Sequence, residues 1–312
     1  MNRPAVVALG GGHGLAASLS ALRLVTDRIS AVVTVADDGG SSGRLRAEFD
    51  CLPPGDLRMA LAALCNDDEW GTTWASVLQH RFPGGGDLGG HSLGNLLIVT
   101  LWDRLGDTVA GLDMVGRLLG ARGRVLPMAA VPLAIEARVR GLDPAHPDDV
   151  TTVRGQASVA KTPGTVEAVR VDPADPPVPP QTLAAIDDAD WVILGPGSWF
   201  TSVIPHLLVP AVRGALCSTR AKKALVLNLE IGAGESSGYA VEDYLTVLHA
   251  HAPELRLDVV VADPEVVVDE ATLRAAAATL GAQLLVAPVA RAEHPGQHDV
   301  LRLAACFRDM MG

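Results

Sequence analysis

The sequence predicts an α/β fold, a doubly wound and mainly parallel sheet that carries a small antiparallel β insertion. Three observations predict it. Short apolar runs end in glycine turns, residues 5–9 before GGGHG and 191–194 before GPGS, as strands buried on both faces do where they pass into helices. Such runs alternate with stretches of helical spacing along most of the chain. Near 131–140 the pattern changes to Ile135, Ala137 and Val139 against Glu136, Arg138 and Arg140, the alternation of a half-exposed strand.

The elements follow in order. After the strand at 5–9, Leu15, Leu19 and Leu22 recur at spacings of four and three, which predicts a helix over 15–25. A β-branched run at 30–35 completes a Rossmann-like βαβ unit. Helices are predicted over 56–64, with Asp56 as N-cap, and over 94–105. The glycine-rich loop HRFPGGGDLGGHSLGN lies between them. Strands at 151–160 and 165–171 are expected to partner 131–140. Five prolines make 172–182 an extended connector. Strands then recur at 191–194, 224–229, 257–262 and 283–287, with helices at 241–250, 271–280 and 300–310.

Composition bounds the class of protein. With 312 residues, 48% of them hydrophobic, the chain can bury a core as one domain, 1–312, with the β-rich insertion and its proline-rich connector at 124–182. A formal charge of −11 and the lack of any Lys/Arg run argue against nucleic acid as a partner. They do not argue against nucleotides, which backbone amides at glycine turns and helix N-termini bind locally. Cysteines at 51, 65, 217 and 306 form no CxxC motif and are expected to be reduced core thiols. No apolar run is long enough for a signal core or a bilayer. The expectation is a soluble cytoplasmic protein without membrane insertion.

The glycine turns carry the first functional signal. Gly12, Gly14 and Ala17 fit G-x-G-x-x-G/A between a strand and a helix, so Gly11, Gly12, His13 and Gly14 are candidate phosphate contacts. The alternative is a tight turn that needs positive φ. Gly195, Pro196, Gly197 and Ser198 repeat the design and offer a second anion site, or again a plain turn. Two such turns after two buried strands are expected to share one sheet edge, where ligands of open α/β sheets bind.

Asp37 and Asp38 fall at the carboxyl end of the second strand, Asp37 25 residues after Gly12. That is near the place of a ribose-binding acid, and the pair is also a candidate Mg²⁺ site against a substrate phosphate. Residues 39–43 are expected to form a flexible turn with Ser41 and Ser42 as donors. Arg44 and Arg46 then pair with phosphate or with the acids themselves. Asn95 is either a helix cap or a group reaching into the same crevice, as is His91. GESSG at 234–238 fits G-x-S-x-G, but residues 230–233 separate Ser236 from the preceding strand, so a nucleophile elbow is not expected.

The runs LGGGHG, TVADDGGSSGRLR, PPGDLR, GHSLGNLL, PMAAVPL, GPGSWFTSVIPHLLV and NLEIGAGESSGY resemble the gluconeogenesis factor family (YvcK-like), which is related to the 2-phospho-L-lactate transferases (CofD-like) of deazaflavin coenzyme synthesis. The matching runs extend from residue 6 to about 250 in the family's order. The resemblance implies a Rossmann-like core with an insertion. It implies a ligand at the glycine-turn edge, a nucleotide-sugar such as UDP-N-acetylglucosamine or an NAD-like dinucleotide, with Asn228 at the head of NLEIGAGESSGY in the ligand-binding set. It implies a role in cell shape and peptidoglycan synthesis, most visible on gluconeogenic carbon sources. In the transferase relatives, acids matching Asp37 and Asp38 serve metal and substrate. Gly232 and Ala233 stand where the family has Gln-Pro, and Tyr244 stands where a His is common.

Three functional readings result. The first is a nucleotide-sugar-binding regulator acting on a cell-wall synthesis or regulatory protein, with the apolar helices allowing a homodimer. The second is a Mg²⁺-dependent phospho- or nucleotidyl-type transferase. An NAD-dependent dehydrogenase ranks last, because no acid–base pair suited to hydride transfer is evident.

Overall fold

A computed structural model of the chain describes residues 3–143, 145–232 and 234–312. The first half contains β1 (Val6–Gly10), α1 (Gly12–Leu22), β2 (Ile29–Val33), α2 (Gly40–Phe49), α3 (Gly55–Ala63), α4 (Glu69–Gln79), α5 (Leu93–Leu105), α6 (Thr108–Leu119) and β3 (Arg124–Pro127). The insertion contains β4 (Ala134–Arg140), β5 (Val150–Arg154), α7 (Gln156–Val159) and β6 (Thr165–Asp172). The second half runs through α8 (Pro180–Asp187), β7 (Trp191–Leu194), a π-helical segment (Trp199–Val203), α9 (Ile204–Leu208), α10 (Pro210–Ser218) and β8 (Lys222–Val226). A 3-10 turn (Gly234–Ser236), α11 (Val241–His251), β9 (Val259–Ala262), α12 (Glu270–Thr279), β10 (Gln283–Val286) and α13 (Val300–Met311) complete it.

The main sheet has seven strands in the order β10-β9-β8-β7-β1-β2-β3, and each of its pairings is parallel. β1 and β7 are buried along their whole length, which is why they read as continuous apolar runs. From β1 the chain winds outward to β2 and β3. From β7 it winds the other way. The topological switch point therefore lies between β1 and β7, and their carboxyl ends carry the two glycine turns.

The insertion is a three-stranded antiparallel sheet, β5-β4-β6. Glu136 of β4 is nearly buried between cross-strand arginines, Arg154 at 2.9 Å and Arg170. Its strands start at residue 134, not 124. Residues 124–127 extend the main sheet instead, paired with β2. The connector is not extended throughout either, since α8 begins at Pro180, where proline suits a first helical turn.

Other expectations change in the folded chain. Residues 39–43 are not a flexible turn: α2 starts at Gly40, and Gly43 lies so close to Asp38 that a Cβ would stand 2.1 Å from its carbonyl oxygen. Asp56 does not cap α3, whose N-cap is Pro54, and Asn95 does not cap α5, whose N-cap is Ser92. α4 and α6, unforeseen, are capped by Asp68 and Asp107, which accept from Gly71 N and Ala110 N at 2.7 and 2.8 Å. The four cysteines are free, but Cys217 is exposed and not a core thiol. No single helix among the described residues is long and apolar enough to cross a membrane.

Candidate functional site at the switch point

The two glycine turns pack directly on one another. A Cβ on Gly14 would stand 2.2 Å from the carbonyl oxygen of Pro196, so only glycine lets α1 start this close to the β7 turn. Gly12 opens α1 at φ +57°, and no side chain caps the helix. Beyond the Gly12 amide, from which Asp56 accepts, its first amides remain available to an anion. His13 is exposed at the mouth.

The second turn is answered from within the protein. Asn228 clasps Gly197 at both ends, accepting from its N–H and donating to its carbonyl, each at 2.9 Å. Glu235 accepts from Phe200 N at 3.0 Å. Burial pushes the Glu235 carboxyl up to about 7, against the pull of that amide. Asn228 thus positions the turn, and Ser198, which is exposed, is the group GPGS leaves open to a ligand. A cavity of about 350 Å³ lies over both turns, with His13, Gly14, Ser198, Asn228 and His298 in its lining. A larger groove of about 620 Å³ between α6 and β3 lies away from the switch point.

The acids at the end of β2 diverge. Asp38 turns toward the insertion, where its Oδ1 accepts from Ala157 N of α7 at 2.9 Å. Asp37 accepts from Gly39 N at 2.9 Å and faces α3. Asp37 lies close enough to Asp56 to repel its carboxylate. A Cβ on Gly11 would stand 2.5 Å from Asp56 Oδ2, so Asp56 lies directly beneath the first glycine turn. Burial, and then repulsion from Asp37, push Asp56 up to about 7, while the Gly12 amide and Arg58 pull it back. Asp56 is the main residue that the sequence did not reveal. Its PPGDLR setting suggested a cap, and only the fold brings it to Gly12.

Ser41 and Ser42, in the first turn of α2, are both hydrogen-bonded within the protein. Ser42 Oγ accepts from Gly55 N at 3.0 Å, and Ser41 Oγ accepts from Asn95 Nδ2 at 2.9 Å while lying 3.0 Å from His91 Nδ1. Arg44 donates to the Gly89 carbonyl and Arg46 to that of Leu133, each at 2.7 Å. None of Ser41, Ser42, Arg44 and Asn95 touches the cavity over the glycine turns. Ser236 is buried and accepts from Tyr244 Oη at 2.7 Å, not the exposed position of an elbow nucleophile. Tyr244 in turn packs on Trp199 with ring centroids 4.9 Å apart. Of the two residues in place of Gln-Pro, Gly232 adopts φ +72° and Ala233 lies outside the described residues.

Comparison with known proteins follows the same outline. The family model described as 2-phospho-L-lactate transferase CofD matches residues 6–300. A protein of Mycobacterium tuberculosis named "Putative gluconeogenesis factor" is 54% identical across 98% of this chain and 91% of its own length. The "Gluconeogenesis factor" of Bacillus subtilis is 35% identical across 86% of this chain and 81% of its own. The crystal structure of a UPF0052-family protein from Bacillus halodurans superposes with a TM-score of 0.87 at 33% identity, covering 98% of this chain and 99% of that one.

Proposed function

Because this chain belongs to the CofD family, whose members include proteins named gluconeogenesis factor, we propose that it binds a nucleotide-sugar of the UDP-N-acetylglucosamine type at the switch point and acts as a regulator of cell-wall precursor metabolism and cell shape. The observation that carries the proposal is the cavity over the two glycine turns, with uncapped α1 opening at its edge and Asp56, repelled by Asp37, packed beneath the first turn. Amides at His13 and Gly14 suit a diphosphate, the Gly12 amide being engaged by Asp56. The Ser198 and His13 side chains also line the cavity and suit ribose or sugar hydroxyls.

The carboxylates bear on the Mg²⁺ question. Two acids beside a diphosphate repel it unless a cation lies between them. Asp37 and Asp56, which already repel one another, fit that role. Asp38 is directed instead toward α7 of the insertion. No group of three or more metal-ligating side chains occurs among the described residues, which matches Mg²⁺ held by one or two carboxylates and ligand oxygens. When bound, the ion neutralises phosphate charge, and in a transferase it would stabilise charge on the group being transferred. The protein's own groups orient the ligand: α1 amides hold phosphate, Asn228 fixes Gly197, and Glu235 fixes the segment after Ser198.

The transferase reading rests on the family description and the Asp37–Asp56 pair. Prolonged incubation with UDP-N-acetylglucosamine and Mg²⁺, followed by ³¹P NMR, separates the two. Unchanged ligand spectra with saturable binding support the regulator. A new phosphorus resonance that disappears in Asp56→Asn shows a transferase instead.

A further inference from the structure

Four consecutive residues, Gly89 to Ser92, are each held from another part of the fold, three of them by arginine. Arg44 of α2 donates to the Gly89 carbonyl at 2.7 Å. Arg81 donates to the Gly90 carbonyl at 2.9 Å. His91 meets Ser41. Arg58 of α3 donates to Ser92 Oγ at 2.5 Å. The chain has 36 acidic residues against 25 basic ones, yet none of these three arginines joins an ion pair among the described residues.

Arg58 is the telling member. It is only 4% exposed, and its Nε has no partner. Its stem is locked in place, since a Cβ on Gly94 would stand 2.9 Å from Arg58 Cδ. Arg81 lies close enough to repel it, and Asp56 and Asp37 close enough to attract it. No carboxylate among the described residues contacts it, and each guanidinium offers five N–H donors where the loop uses few of them. Strapping the loop requires hydrogen bonds. It does not require three positive charges around one short loop.

We propose that Arg44, Arg58 and Arg81 form a second anion subsite, built for a compact phosphate group such as a phosphomonoester and separate from the α1 glycine turn. Arg44 and Arg81 are exposed and form its mouth. Arg58 lies beneath, two residues from Asp56 in α3. The planar fork of arginine suits two phosphate oxygens at once. The phosphate comes either from a second phosphorylated molecule or from the far end of the ligand in the crevice. Inorganic phosphate reports on the subsite alone, so the test does not depend on the nucleotide-sugar reading.

The test is calorimetric titration of the full chain with inorganic phosphate and with glucose 6-phosphate, glucose being the control, at fixed ionic strength. Saturable binding of both phosphates but not glucose is expected, weakened tenfold or more in the Arg44→Ala/Arg81→Ala double variant. Those two side chains are exposed, and an unchanged circular dichroism spectrum verifies the fold. No saturable phosphate binding, or equal binding by the double variant, overturns the proposal. Repeating the titration on protein saturated with UDP-N-acetylglucosamine identifies the source. Persistent phosphate binding means a second molecule. Mutual exclusion, with the double variant also weakening the nucleotide-sugar, means the same ligand's far end. Mutual exclusion with nucleotide-sugar affinity untouched would place the phosphate at the glycine turn and also overturn the subsite.

Discussion

Asp56 shows how one side chain links stability, pH and binding. Its carboxyl is raised from the ordinary 3.8 to about 7, so between those values the folded chain holds a proton that the unfolded chain has lost. Stability then falls as pH rises through that window and levels off above it. Asp56→Asn removes the contribution. Urea unfolding of the variant is expected to show a flatter stability profile over the window and greater stability than the parent above pH 7. Glu235, also raised to about 7, keeps part of the slope in both proteins. Ligand binding should respond in the opposite direction: if Asp37 and Asp56 share Mg²⁺, Mg²⁺-dependent affinity rises as Asp56 ionises near 7, and the variant loses that rise. Equal pH profiles for both proteins would contradict the pairing.

At the scale of elements, the two glycine turns stand or fall together. Gly14→Ala places a methyl into the Pro196 carbonyl, a contact with backbone that cannot yield cheaply. A loss of several kcal/mol is expected, as for other strained core changes, with ligand binding abolished. Asn228→Ala leaves the Gly197 amide and carbonyl unanswered, a cost of about 1–3 kcal/mol. It is expected to weaken nucleotide-sugar binding without unfolding the chain, as thermal unfolding and titration of the same sample would show. Much at this scale was legible in the sequence. β1 with GGGHG and β7 with GPGS are local patterns, and their shared edge follows from parallel winding. α2 was hidden because DDGGSSGRLR has the composition of a turn; its order comes from Asp38, Gly43 and Gly55 packing closely. Asp56, Arg58 and Arg81 were hidden for another reason. Their neighbours are distant in the chain, and no spacing rule reports a contact that only the tertiary fold makes.

The whole molecule is a switch-point sheet with an antiparallel roof attached beside the site. Two hydrogen bonds fasten the insertion to the crevice elements: Ala157 N to Asp38 at 2.9 Å and Tyr239 Oη to the Val166 carbonyl at 2.6 Å. Asp38→Ala is expected to raise hydrogen exchange at 156–160 while leaving β1 and β7 protected, a loss of about 1 kcal/mol locally. Nucleotide-sugar affinity should change far less than in Asp56→Asn. The most direct test of the central claim is calorimetric titration with UDP-N-acetylglucosamine, with and without Mg²⁺, using NAD as the comparison ligand. Saturable binding of the nucleotide-sugar, strengthened by Mg²⁺ in the parent but not in Asp56→Asn, is the predicted result. No binding, or a clear preference for NAD, would contradict it.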